Sequence, residues 1–371
     1  MRKKLLFISR YVLDEPCATG RTIIDLIQYC QSLSFNVTFL NLASSPSFDL
    51  EAALTCNVIS AGLGTRFYDS PSTDTERDFV RDTFQRIEPS IVITDYAWTA
   101  GNFDLLPGFV EKMILVHDLR TRIVSGLESH GHSHAHHPWN KSTESFYLQK
   151  ADAIIVLNEE DADECREMAQ FANVLQIGLS SDLRFSGGSS VVPGRVLYVA
   201  SSFGANKEAI ERFVIDCWPT IRNRIPNATL HICGGVSDRV NGEIASESNG
   251  VFLRGRVDDI DTEHIEAAVC IVPIRHVGTK RKFADALAHG KAVVSTKVGI
   301  DGFPEAYEKC ALIADDIGEQ FADHVANVLS SDELRHSLEN EARALAEKRL
   351  PPENAYRNLV EHFKMKSLLE T

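Results

Sequence analysis

An α/β chain of two doubly wound, Rossmann-like sheets is the fold class this sequence predicts, and two observations predict it. Short apolar runs without in-out alternation recur between longer segments of helical spacing. Strands covered on both faces by helices require that pattern. The alternation stops at a turn-rich stretch, SGGSSVVPG from Ser186 to Gly194, and restarts after it. A packed helix or a central strand would not choose such residues, so a domain linker is expected there.

Taken in order, the first half places strands at Leu5 to Ser9, Val37 to Leu42, Ile91 to Thr94, Met113 to Val116 and Ala153 to Leu157. Phe79, Val80, Phe84 and Ile87 recur at helical spacing and stop at Pro89, which ends a helix. After the linker come strands at Val196 to Ala200, Thr229 to Cys233, Val251 to Leu253, Val269 to Val272, Ala292 to Ser295 and Ala311 to Ala314. The tail from Asp332 to Leu369 is rich in helix formers and is interrupted at Pro351 and Pro352. Two helices are expected, the second starting near Pro352, where proline suits a first turn. The expected domains are residues 1–186, 187–350 and a C-terminal helical segment, 351–371.

Composition excludes several function classes. The chain has 371 residues, enough for two cores, and a formal net charge of -14. That charge offers no general attraction to nucleic acid, so no nucleic-acid partner is expected. No apolar stretch approaches the roughly 20 residues of a membrane-spanning helix. Nothing after Met1 has the pattern of a secretion signal. The eight cysteines show no metal-knuckle or redox spacing and read as buried thiols in a reducing, cytoplasmic setting. Open α/β sheets bind ligands beyond the carboxyl ends of their strands, so the loops after strands should carry the function.

The most informative stretch runs from Ile271 to Gly302, IVPIRHVGTKRKFADALAHGKAVVSTKVGIDG. A buried strand ends at Pro273, a loop carries Arg275, His276 and Gly278, and a helix is expected to start near Thr279. A helix start presents N–H groups and the positive end of a dipole, and Arg275, Lys280, Arg281 and Lys282 add charge around it. Such a place is an anion site. Asp285, three residues after Lys282, shares a face with it and can accept hydrogen bonds from sugar hydroxyls. The competing reading is a solvated amphipathic helix with ordinary surface charges.

This stretch resembles the donor-site signature of family 4 glycosyltransferases: Pro-Leu-Arg, a glycine-bearing loop, Lys-x-x-Glu-Ala-x-Ala-x-Gly-x-Pro-Val-Val-x-Thr, then Gly-x-x-Gly. The matching residues are Pro273, Ile274, Arg275, Gly278, Thr279, Lys282, Asp285, Ala286, Ala288, Gly290, Val293, Val294, Thr296, Gly299 and Gly302. The likeness extends over nearly the whole chain. LLFISRYV with Thr19, Gly20 and Arg21 resembles the first strand and the glycine loop near the donor diphosphate. VHDLR, with His117, Asp118 and Arg120, is similar to the histidine loop of the first domain. Glu144 and KADAIIVLNEEDAD resemble the helix and strand that follow.

The resemblance implies a GT-B fold, with two Rossmann-like domains facing a cleft and C-terminal helices packing back toward the first domain. It implies a retaining, metal-independent transferase that takes a sugar from a nucleoside diphosphate sugar to a glycan or lipid-linked acceptor in surface polysaccharide assembly. His117, Arg275 and Lys282 would serve catalysis, and Gly20, Lys207, Gly278, Thr279 and Asp285 would bind substrate. Lys207 reads equally well as a surface lysine. No cofactor is expected, and Gly234-Gly235 falls short of a dinucleotide fingerprint. The resemblance also leaves room for peripheral association with the inner face of a membrane. Asp285 stands at the second position of the family's paired-glutamate motif, and two further positions depart from the pattern: Val277 stands where the first of the paired acids is usual, and Ser202 where an arginine is common. They motivate an alternative, a catalytically weak nucleotide-sugar-binding subunit. A nucleotide-sugar epimerase shares the fold but not the Pro273 to Gly302 pattern. The cluster His130, His132, His134, His136 and His137 lacks structural-metal spacing.

Overall fold

The computed structural model describes the chain apart from residues 1–2, 11–17, 43–53, 64–69, 129–138, 187–189, 277–279, 305–308 and 370–371, and apart from the side chains of residues 126–128. It divides into two compact units: Met1–Gly178 together with Ala355–Thr371, and Leu179–Asn354.

The first unit holds a seven-stranded parallel sheet: β1 (Lys4–Ser9), β2 (Asn36–Asn41), β3 (Asn57–Ser60), β4 (Ile91–Asp95), β5 (Glu111–Val116), β6 (Ala153–Val156) and β7 (Asn173–Gln176). Their order is β3-β2-β1-β4-β5-β6-β7. Phe7 sits opposite Phe39 of β2 and Ile93 of β4, and the Phe7 and Phe39 rings stack at 5.8 Å. Alternate residues Leu6, Ile8, Val92, Ile114, Val116, Ile154 and Val156 build a core on one face. Leu5 and Phe7 are equally buried on the other. Covering both faces is what removes the in-out alternation from the sequence.

Sequence reading missed β3 and β7. Both are four-residue edge strands, NVIS and NVLQ, and all their residues but Leu175 are partly or fully exposed, so neither carries a continuous apolar run. The predicted helix through Phe79 to Ile87 spans Asp74–Ile87. Thr73 and Glu76 close its start as a capping box, and Glu88 ends it in the left-handed region before Pro89.

The tail departs from the expected pair of helices. It forms Asp332–Arg349, Pro352–Ala355 and Arg357–Met365, because Tyr356 leaves the helical region and starts the last helix as its N-cap. That last helix belongs to the first unit. Phe363 packs on Phe35 at 5.1 Å, while His362 Nε2 donates to Glu111 at 2.7 Å and its Nδ1 accepts from Asn173 at 3.0 Å.

The second unit holds six parallel strands: β8 (Arg195–Val199), β9 (Thr229–Cys233), β10 (Val251–Gly255), β11 (Val269–Val272), β12 (Val293–Thr296) and β13 (Ala311–Ala314). Their order is β10-β9-β8-β11-β12-β13. In each sheet the chain moves outward one way from its first strand and then returns to build the other side. The reversal falls between β1 and β4 in the first sheet and between β8 and β11 in the second. A crevice at the carboxyl ends of those two strands is where a doubly wound sheet receives ligands.

Cys30, Cys165, Cys217, Cys233, Cys270 and Cys310 are buried. Burial pushes the Cys30, Cys217, Cys233 and Cys270 thiols up to about 12, which keeps them protonated and inert. Cys17 lies outside the described residues.

Candidate functional site

In the second unit the helices Gly204–Asp216 and Arg281–Ala288 follow β8 and β11, the two strands that flank the reversal. Their N-cap positions are Phe203 and Lys280, neither of which caps its helix through its own side chain. A helix start carries the positive end of the helix dipole, which favours an anion nearby. A hydrogen bond joins the two starts: Lys282 Nζ donates to Asn206 Oδ1 at 2.8 Å. The same ammonium lies 5.5 Å from the centre of the Tyr198 ring of β8, within cation–π range.

Lys282 as a whole is half-buried, and its ammonium lies between Asn206 and the Tyr198 ring. Burial pushes the ammonium down to about 7, and the neighbouring charge of Lys280 adds to the effect. An anion entering the crevice would restore its charge, since opposite charge favours the protonated form.

The other residues singled out in the sequence are placed as follows. Asp285 lies one turn after Lys282 on the same helix and is half-buried. Arg275 does not meet Lys282; its Nε lies 3.2 Å from Asp316, a carboxylate also paired with Arg212 at 3.4 Å. Lys207 is half-buried and lies 3.6 Å from Glu211 one turn on; its neighbour Asn206, and not Lys207, reaches Lys282. Val277, Gly278 and Thr279 lie outside the described residues. The helix starts at Arg281, two residues later than expected.

The competing reading of this stretch, a solvated helix face, does not hold for Lys280 and Arg281. Both are buried, and Arg281 donates to the Ser180 carbonyl at 2.6 Å. Charge alone is compatible with a surface position, and the long-range bond to Ser180 is what a sequence does not show.

Two glycines of the signature have steric reasons. Gly290 stands at φ 63 just past the helix end. It donates to Leu287 and Lys291 donates to Ala286, the paired bonds of a left-handed helix stop. At Gly299 an added Cβ would lie 2.2 Å from Ser295 Oγ and 2.7 Å from the Val272 carbonyl, so nothing larger fits.

In the first unit the reversal between β1 and β4 is bridged by Ser9 Oγ, which donates to Asp95 Oδ2 at 2.6 Å. Burial raises the Asp95 carboxyl to about 6 against the opposing pull of Ser9 and Arg10. The next residue, Tyr96, sits at φ 53, a conformation that non-glycine residues adopt rarely. Its ring stacks on Trp98 at 4.3 Å and tilts against His117 at 4.9 Å. His117 is buried directly after the carboxyl end of β5. Glu144 closes the start of the helix Arg120–Glu128, accepting from the Arg120 and Thr121 N–H groups at 2.8 and 2.9 Å. Gly20 lies inside the first turn of the helix Ala18–Ser32, not in a loop. The residues His130 to His137 lie outside the described residues. Among the described residues no group of three or more His, Cys, Asp or Glu could hold a metal ion, and no helix is long and apolar enough to cross a membrane.

Sequence reading missed Asn206, Tyr198, Ser9, Asp95 and Tyr96. Asp95 had a signal, a carboxylate directly after a continuous apolar strand; Asn206 had none beyond its place in a helix start.

Residues 193–331 match the family model of glycosyl transferases group 1. No curated protein matches the chain. Among solved structures it is similar to sucrose-phosphate synthase from Thermosynechococcus elongatus, at 15% identity and a TM-score of 0.75, covering 99% of this chain and 100% of the other. HepE (Alr3699) of Anabaena in complex with UDP aligns at 14% identity and a TM-score of 0.71, covering 98% and 100%. A variant of S. aureus TarM in complex with fondaparinux, alpha-GlcNAc-glycerol and UDP aligns at 10% identity and a TM-score of 0.75, covering 98% and 100%. The chain thus has the two-sheet α/β fold of GT-B glycosyltransferases.

Proposed function

We propose that the chain is a retaining, metal-independent glycosyltransferase that moves a sugar from a nucleoside diphosphate sugar to a glycan or lipid-linked acceptor. One observation carries the reading: the bond from Lys282 to Asn206 joins two helix starts at the reversal point of the second sheet. That is a place for a polyanion, and it falls within the segment that matches the group 1 glycosyl transferases. The sugar-nucleotide bond breaks toward a diphosphate that gains charge. Preorganised positive groups stabilise that charge most in the transition state. Lys282 and Arg275 are assigned that role, with Gly20, Lys207, Gly278 and Thr279 proposed along the diphosphate. Asp285 is assigned to the ribose or sugar hydroxyls, and His117 to a hydroxyl of the transferred sugar.

HepE and TarM are seen with UDP, so a uridine nucleotide is the first donor to test. Surface polysaccharide assembly, with peripheral attachment to a membrane, is the proposed setting. Thermal melting with UDP, GDP, ADP and dTDP should show one nucleotide raising the melting temperature, and the rise should be lost in Lys282→Met. Stabilisation by none of the four would sink the donor-site reading. Slow release of free nucleotide from the matching sugar donor would separate a working transferase from a subunit that only binds.

A further inference from the structure

We propose that Asn206 is the positioning residue for Lys282, its side-chain carbonyl holding the ammonium at the reversal point and aiming it at the donor diphosphate. The inference rests on the donor-site reading above.

Three contacts fix Asn206 independently of Lys282. Its backbone N–H donates to Phe203 at 3.0 Å in the first turn of its helix. Its backbone carbonyl accepts from the Tyr198 hydroxyl at 3.1 Å. Its side-chain Nδ2 donates to the Ser201 carbonyl at 3.3 Å and lies equally far from Ser201 Oγ. A backbone carbonyl only accepts, so the NH2 end of the amide must face Ser201 and the oxygen must face Lys282. The amide is therefore oriented by chemistry.

An ammonium has three donors. One is spent on Asn206, and two remain to reach oxygens of a bound anion. A neutral acceptor is the right partner for this task. It favours the charged form and holds its direction, yet leaves the positive charge uncancelled, whereas a carboxylate there would compete with the diphosphate. The charged group acting on the ammonium is Lys280, which lowers its pKa. Tyr198, packed against it from β8, is kept neutral by burial, and Asp285 stands one turn further along the helix. With the ammonium brought to about 7, loss of the Asn206 carbonyl should leave it uncharged over more of the neutral range.

The test measures the affinity of UDP, or of whichever of the four nucleotides stabilises the protein, by calorimetry from about pH 6 to about pH 9. The proteins are the full-length wild type, Asn206→Leu, the isosteric Asn206→Asp and Lys282→Met. The terminal phosphate titrates near pH 6 by itself, roughly as a phosphomonoester does, and Lys282→Met removes that background.

Wild-type affinity should begin to fall near pH 7 as the free protein loses the ammonium proton. In Asn206→Leu the fall should begin about half a pH unit lower or more, with affinity at the acid end kept within roughly threefold. In Asn206→Asp the fall should begin higher, and affinity at the acid end should drop roughly tenfold, because the carboxylate pairs with Lys282. Wild-type-like onset and affinity in a folded Asn206 variant, with Lys282→Met impaired, would overturn the positioning role and leave the donor site standing. Unchanged affinity and pH dependence in Lys282→Met would overturn the donor-site reading itself. Should the Leu variant fail to fold, the Asp variant decides alone, since its two expected changes have opposite signs.

Discussion

Ser9 and Asp95 share a 2.6 Å hydrogen bond across the carboxyl ends of β1 and β4, where the first sheet reverses its strand order. The bond leaves a carboxyl group at the place where such sheets usually open to ligands. Because burial raises that carboxyl to about 6, the folded protein holds a proton there over a range in which the unfolded chain has lost it. Stability should therefore decline as pH rises from about 4 through about 6, since the unfolded state binds fewer protons in that window. Asp95→Asn keeps an acceptor for Ser9 but cannot ionise. Urea unfolding at both ends of the window should show the variant gaining on the wild type with pH, by on the order of 2 kcal/mol. A pH-independent difference would contradict the burial argument.

Replacing Lys282 or Arg275 by Met should lower turnover more than it weakens donor binding, on the order of 10²-fold or more. Lys348, exposed on the helix Asp332–Arg349, is the control and should change nothing. Arg281 is unsuitable as a control, because it donates to Ser180 and its loss should lower the melting temperature. Initial rates against donor concentration decide the matter. Equal small effects at Lys282, Arg275 and Lys348 would move the donor site elsewhere.

Asp285→Ala should weaken nucleotide binding if its carboxylate meets ribose or sugar hydroxyls, at a cost on the order of 1 to 3 kcal/mol. Titration calorimetry on a variant with a wild-type melting curve gives the answer. Undiminished affinity there would remove Asp285 from the site.

Gly299→Ala should destabilise the second unit by about 1 to 3 kcal/mol or more, the range seen for overpacked cores. The new methyl group would meet Ser295 Oγ and the Val272 carbonyl at the carboxyl end of β11. Chemical denaturation measures the loss. A variant as stable as the wild type would show that the strand ends can part without cost.

What the sequence determined by itself was the kind of structure and the neighbourhood of the chemistry. Runs such as Ala153 to Leu157 and Val269 to Val272 can only be strands covered on both faces, and the order of runs and amphipathic segments forces parallel sheets. Glycines such as Gly290 and Gly299 were readable as special positions, though the contacts that require them were not. The tertiary structure alone decided which polar residues meet. The sequence singles out Lys207, yet it is the adjacent Asn206 that bonds Lys282, 76 residues away. The outcome depends on the phase of one helix against another after both have docked on the sheet. Likewise charge alone is compatible with exposure for Lys280 and Arg281, yet both are buried, Arg281 with the Ser180 carbonyl as its partner. One-dimensional periodicity records burial averaged over a face. It does not record the long-range partner that makes burying a charge tolerable.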